Sequence, residues 1–309
     1  MECVDATISK RLDSSVPLVA NVSRYIISAG GKRLRPSLLL LVCGALGVES
    51  PQRHVLAAVV EFIHTATLLH DDVVDDSTLR RGHATANETF GNPASVLVGD
   101  FLYSRAFQMM VEVGDLRVMA ILSDATNVIA EGEVQQLMNM HDASLTEAAY
   151  LHVIRSKTAK LFEASARLAA VLGHASPSIE SACIQYGQAL GTAFQIVDDV
   201  LDYAGTSVEM GKNLGDDLRE GKATLPLIAA MQRANPEEAR LIRTAIEQGN
   251  TEHLAEIATI VRASGALDVA RQSAESEALR AIAAAQLLPA NAHQHALIQL
   301  ASQLLHRKT

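Results

Sequence analysis

Two short stretches of this chain carry more carboxylates than a helix holds without a reason. Asp71, Asp72, Asp75 and Asp76 close one apolar run; Asp198, Asp199 and Asp202 close another. The stretches echo each other, since Thr65 to Asp75 and Thr192 to Asp202 both end in Asp-Asp-x-x-Asp. On a helix, residues four apart lie about 5–6 Å apart at Cβ, so Asp71 neighbours Asp75 and Asp198 neighbours Asp202. Like charges at that spacing cost stability, and acids at a helix C-terminus oppose its dipole. A bound cation offsets both. The donors are all oxygen, which suits a hard divalent ion, Mg²⁺ before Ca²⁺. Mg²⁺ typically takes one or two carboxylates, keeps several waters and shares a phosphate. One such cluster reads equally well as a solvated acidic helix end; two matched clusters favour metal.

Basic residues accompany the acids. Lys32, Arg33 and Arg35 precede a helix start marked by Pro36, where cations are unfavourable unless an anion binds the exposed N–H groups. Arg80-Arg81-Gly82 follows the first cluster, either as charge compensation or as a diphosphate site beside metals. Lys157-Thr158, Lys212 and Lys222 are further candidates. The ligand expected from this set has a diphosphate head and an apolar tail.

The elements that must position these groups are helical. Apolar periodicity and Pro/Gly punctuation predict helices over Ser14–Ala29, Pro36–Leu46, Arg53–Asp75, Pro93–Val113, Leu116–Met140 and Thr146–Leu172. They predict further helices over Ser178–Ala204, Leu225–Arg233, Glu237–Gln248, Thr251–Ser264, Ala266–Ala285 and Asn291–Leu305. No segment alternates long enough for a strand. Gly205 to Thr224 reads as a long loop with short helical pieces. The 309 residues show no composition break, so the expected fold is all-α: one large helical bundle, residues 1–309, around a central apolar cavity.

Composition narrows the function. A formal charge of −9 argues against a nucleic-acid surface. It does not argue against phosphate ligands, because bound metal ions invert the local electrostatics. The three cysteines form no zinc or disulfide pattern, and Met1–Lys10 resembles neither a signal nor a transit peptide. The longest uncharged apolar run, Leu38 to Val48, is too short to span a bilayer. A cytoplasmic protein is expected.

The motifs together resemble the trans-isoprenyl diphosphate synthase family. They are Gly30-Gly31-Lys32-Arg33-Leu34-Arg35-Pro36, Glu61-Phe62-Ile63-His64, Leu68 to Asp75, Arg80-Arg81-Gly82, Lys157-Thr158, Gly191 to Asp202, and the series Gly211-Lys212, Gly215-Asp216-Asp217, Gly221-Lys222. The order is the family's, over about residues 25 to 230. The resemblance implies an all-helical homodimer that condenses isopentenyl diphosphate head-to-tail onto an allylic diphosphate. It implies Mg²⁺, three ions with substrate bound, held by Asp71, Asp72, Asp75, Asp198, Asp199 and Asp202. Lys32, Arg35, His64 and Arg81 take the isopentenyl diphosphate role. Arg80, Lys157, Thr158, Gln195, Lys212 and Lys222 take the allylic diphosphate role. The six aspartates and Lys157 form the catalytic set. One departure is visible: many short-chain members carry a Gln and an Asp where this chain has Glu133 and Gln136.

Product length follows from the helix bearing Asp71. Ala66 and Thr67 lie just over one turn below Asp71, and Ile63 lies below them. Short-chain members tend to carry a bulky aromatic at that level. Ala66 leaves it open, and Met110 is a candidate deeper wall, so a long product is expected, octaprenyl or near it. The resemblance implies a quinone side chain as its destination, with a membrane as a candidate place of delivery. A shorter-chain geranylgeranyl synthase, a terpene cyclase and a non-catalytic subunit of a heteromeric synthase are the competing readings.

Overall fold

Helix follows helix wherever the apolar period of about 3.6 residues persists, and Pro or Gly marks the breaks. In the computed structural model, which describes residues 1–28, 30–80, 82–204 and 215–306, the helices are α1 (Glu2–Arg11), α2 (Pro17–Ser28), α3 (Leu34–Ala45) and α4 (Gln52–Val74). They continue with α5 (Ala86–Phe90), α6 (Asn92–Val113), α7 (Leu116–Asn139) and α8 (Glu147–Ile154). A π-turn (Arg155–Ala159) joins α8 to α9 (Lys160–Leu172), which α10 (Pro177–Ala204) follows. Then come α11 (Asp216–Arg219), α12 (Leu225–Arg233), α13 (Pro236–Gln248), α14 (Leu254–Ala263), α15 (Ala266–Ala285) and α16 (Ala292–Leu304). Among the described residues the only sheet is a hairpin of two-residue strands, β1 (Leu79–Arg80) and β2 (His83–Ala84), in antiparallel register Leu79 to Ala84.

The contacts group the chain into two compact units. Unit 1 comprises Met1–Thr126, Leu161–Ile184 and Ala285–Leu297. Its centre is α4, which packs against α1, α3 and α6. Every residue from Leu56 to Ile63 is buried, the burial of a central helix rather than an amphipathic one. Glu61 lies inside that run and is matched by an ion pair with Arg33. α1 is an addition to the expected elements. Only Val4 and Ile8, one turn apart, are its buried apolar residues within an otherwise polar segment, too faint a period to predict.

Unit 2 comprises Asn127–Lys160, Gln185–Ala284 and Ile298–Thr309. Within it α12 packs against α8, α13 and α14. α13 has a full capping box, with the Asn235 side chain accepting from the Glu237 and Glu238 amides and the Glu238 side chain accepting from the Asn235 amide. The segment expected as one helix over Thr146–Leu172 is helical throughout except for the π-turn at Arg155–Ala159, and Lys157 and Thr158 sit on that turn. No described helix is long and apolar enough to cross a membrane.

Candidate functional site

In unit 1, α4 ends at the first acid cluster. Asp75 caps the helix, its amide donating to the Asp71 carbonyl at 2.8 Å. The four aspartates have different surroundings. Asp71 and Asp75 are half-buried and Asp76 is exposed, whereas Asp72 is fully buried. Asp72 Oδ1 accepts from Arg80 Nε at 2.8 Å and Nη2 at 2.5 Å. Burial alone would lower the Arg80 pKa; the Asp72 hydrogen bond and the charges of Asp72, Asp71 and Asp75 raise it instead. The hairpin thus carries Arg80 back onto the helix it follows, and Arg80 is engaged with Asp72.

The basic turn before α3 divides likewise. Lys32 is exposed. Arg33 is the partner of Glu61. Arg35 Nη1 lies 3.2 Å from His64 Nε2, and its guanidinium stacks 4.4 Å above the Phe162 ring. Arg35 and His64, 29 residues apart in sequence, therefore meet as a pair. On the same helix Ala66 and Ile63 are fully buried, as is Met110 on α6, while the Thr67 hydroxyl donates to the His64 carbonyl.

In unit 2, a cavity of about 130 Å³ collects most of the expected allylic-diphosphate residues. Gln136, Tyr150, Lys157, Thr158, Gln195, Asp199, Asp217 and Lys222 line it. The π-turn presents Lys157 and Thr158 to it, a use of π-helical geometry common at functional sites. Gly132 of α7 makes room for that turn: a Cβ there would lie 2.9 Å from the Lys157 amide nitrogen and 2.9 Å from Ser156 Cβ. Lys157 Nζ then lies 2.6 Å from Glu133 Oε2, and Lys222 Nζ lies 2.5 Å from Glu220 Oε2.

A partly buried hydrogen-bond chain runs from the π-turn to the second acid cluster. Thr158 Oγ1 donates to Gln195 Oε1 at 2.9 Å, and Gln195 Nε2 donates to Asp199 Oδ1 at 2.7 Å. Tyr150 donates to Asp199 Oδ2 at 2.5 Å. Burial, and then the charge of Asp217, push the Asp199 carboxyl up to about 8, although the Tyr150 and Gln195 hydrogen bonds oppose the rise. Asp202 is buried, whereas Asp198 is half-buried. Arg81 and Lys212, both expected at the site, lie outside the described residues.

The donor set suits Mg²⁺ chemically: all oxygen, with Asp71, Asp75 and Asp198 the accessible members. Among the described residues no three acids or histidines converge tightly enough to hold a metal alone. Tyr150 is an addition to the expected site residues, and Glu133, noted in the sequence as a departure from short-chain members, is the partner of Lys157. Tyr150 reads as an ordinary core aromatic in sequence, and its partner lies 49 residues away.

A helical chain with two carboxylate-bearing helix ends and a lysine-lined cavity has the make-up of an enzyme acting on diphosphates. Residues 16–263 match the family model "Polyprenyl synthetase", and the chain belongs to that family of prenyltransferases. It is 54% identical to octaprenyl diphosphate synthase of Escherichia coli K12, over 99% of this chain and 95% of that one. It is 45% identical to the all-trans-nonaprenyl-diphosphate synthase (geranyl-diphosphate specific) of Rhodobacter capsulatus, over 98% and 94%. Among solved structures, a polyprenyl synthase from Caulobacter crescentus CB15, complexed with calcium and isoprenyl diphosphate, superposes with a TM-score of 0.96 at 45% identity. That match covers 99% of this chain and 94% of the other.

Proposed function

We propose that the chain makes a long all-trans polyprenyl diphosphate, octaprenyl or similar in length, for quinone side chains. It does so by repeated head-to-tail addition of isopentenyl diphosphate to an allylic diphosphate such as farnesyl diphosphate. The observation that carries this reading is the unit 2 cavity, where Lys157, Thr158, Gln195 and Lys222 line one space beside the Asp199 carboxyl. The 54% identity to an octaprenyl synthase supports the length.

Asp71, Asp75 and Asp198 would hold Mg²⁺, three ions with substrate bound, and Mg²⁺ supplies positive charge that weakens the bond to the departing pyrophosphate. Asp72, Asp199 and Asp202, the buried members, complete the two clusters. Lys157, Lys222, Thr158 and Gln195, with Arg80 and Lys212, bind the allylic diphosphate. The lysines take up negative charge as the carbon–oxygen bond breaks. Lys32, Arg35, His64 and Arg81 hold isopentenyl diphosphate, whose double bond attacks the allylic carbon. The proton lost from the new chain goes to the released pyrophosphate. Residues 1–309 act as one catalytic domain, with each acid cluster serving the same reaction. The growing tail passes Ala66 along α4 toward Ile63 and Met110.

The chain works as a homodimer. Exposed apolar residues support this: Leu97, Phe107 and Val111 on α6, and Val134, Leu137 and Met138 on α7.

Mass analysis of the products from purified chain, labelled isopentenyl diphosphate, farnesyl diphosphate and Mg²⁺ tests the reading. A ladder ending near the octaprenyl diphosphate is expected. Hydrocarbon products would mean a cyclase, and no product a non-catalytic subunit.

A further inference from the structure

Glu133 and Gln136 lie one turn apart on α7 and both face the lysines of the cavity. Lys157 Nζ is 2.6 Å from Glu133 Oε2. The Gln136 amide, turned with its oxygen toward the ammonium groups, accepts from Lys157 Nζ at 3.1 Å and from Lys222 Nζ at 3.3 Å. The two ammonium nitrogens are therefore no farther apart than those two distances combined. Glu133 pairs with Lys157 and Glu220 with Lys222. Both lysine side chains are largely buried, where charge is felt more strongly than at the surface.

We infer that Gln136 is a positioning and specificity residue. Its neutral carbonyl holds Lys157 and Lys222 together as one diphosphate clamp, and Glu133 sets the affinity of that clamp by occupying Lys157 until the ligand arrives. This rests on the proposed role of the two lysines. The reasoning is electrostatic. A bridge between two ammonium groups needs an acceptor, and a carboxylate would serve as well as an amide in geometry. A carboxylate at 136 would add a negative charge to a cavity that Asp199 and Asp217 already line, facing an incoming polyanion. An amide keeps the bridge without adding that charge. Gly132, one residue before Glu133, brings the π-turn against α7 closely enough for both contacts.

The two positions make opposite predictions, which a merely structural role does not. Gln136→Glu, the isosteric carboxylate, is expected to weaken farnesyl diphosphate binding by roughly tenfold or more, the size of one added charge within several ångströms in a partly buried site. Glu133→Gln keeps the hydrogen bond to Lys157 and removes the competing charge, so binding tightens several-fold. Gln136→Leu, which breaks the bridge without adding charge, weakens binding by a smaller factor than Gln136→Glu. Calorimetric titration of the full chain with farnesyl diphosphate and Mg²⁺, without isopentenyl diphosphate, reads all three. Steady-state KM for isopentenyl diphosphate is the internal control and stays unchanged. Unchanged binding in Gln136→Glu, or Glu133→Gln and Gln136→Glu moving in the same direction, overturns the inference. Should Gln136→Glu fail to fold, the opposite signs of Glu133→Gln and Gln136→Leu decide. A wild-type chain that binds farnesyl diphosphate but elongates nothing would instead overturn the functional reading, while the binding shifts still judge the clamp.

Discussion

Replacing Arg80 by Met tests whether this residue first serves substrate or fold. Asp72 is fully buried, and both hydrogen bonds to its side chain come from Arg80, while its Oδ2 has no hydrogen-bond partner. Truncating Arg80 leaves a buried carboxylate without its counter-charge, a change that typically costs about 3–5 kcal/mol. At about 2.1 cal/mol/K of unfolding entropy per residue, each kcal/mol lowers the Tm of a 309-residue chain by about 1.5 °C, so a fall of about 5–8 °C is expected. The double variant Arg80→Met with Asp72→Asn removes both charges and should recover most of that loss, because neutralising a whole buried pair is often near neutral. Thermal unfolding by circular dichroism reads the stabilities, and turnover with farnesyl and isopentenyl diphosphates reads activity. The double variant is judged on stability alone, because Asp72 belongs to the proposed metal cluster; a diphosphate role for Arg80 predicts lost turnover in the single Arg80→Met variant at a temperature where it stays folded. A single Arg80→Met variant that melts within about 2 °C of wild type would refute the buried-pair argument.

Three other outcomes follow. Ala66→Tyr fills the level just over one helical turn below Asp71 and should shorten the product, as mass analysis will read; unchanged length would sink the tunnel assignment. Gly132→Ala drives a methyl into the Lys157 backbone and Ser156, and should cost about 1–3 kcal/mol of stability and over half of turnover; full activity would show that the close approach is dispensable. Glu180 accepts hydrogen bonds from Arg167 at 2.9 Å and Arg117 at 2.6 Å. Burial raises its pKa, but these partners lower it overall, so its stabilisation is present above the ordinary carboxylate range and lost as pH falls through the lowered value. Denaturant titrations should therefore find Glu180→Gln destabilising by about 1 kcal/mol at pH 7, with the difference shrinking as pH falls below the ordinary carboxylate range.

The helical architecture is largely legible in the sequence because its punctuation is chemical. Leu225–Arg233 has the bounds its pattern predicts, and Pro93, Pro236 and Gly249 mark helix ends where their backbones require. α1 escapes because two buried side chains make no period. The π-turn escapes because a shifted hydrogen-bond register leaves no mark in composition. At the site, residue types and spacing single out the acid clusters and the lysines, but in sequence the aspartates look alike. Burial distinguishes them: Asp72 faces Arg80 and Asp199 faces Tyr150, while Asp71, Asp75 and Asp198 keep access. Such differences depend on partners 8 and 49 residues away, which no local pattern encodes.

The π-turn between α8 and α9 also puts the two helices out of step. One inserted residue rotates everything after it by about 100° relative to an unbroken α-helix. The sequence itself keeps helical spacing across residues 147–172, with Tyr150, Val153, Ile154, Leu161, Phe162 and Ser165 all buried. The slip lies in the backbone register alone, and it falls where the chain presents Lys157 and Thr158 to the cavity.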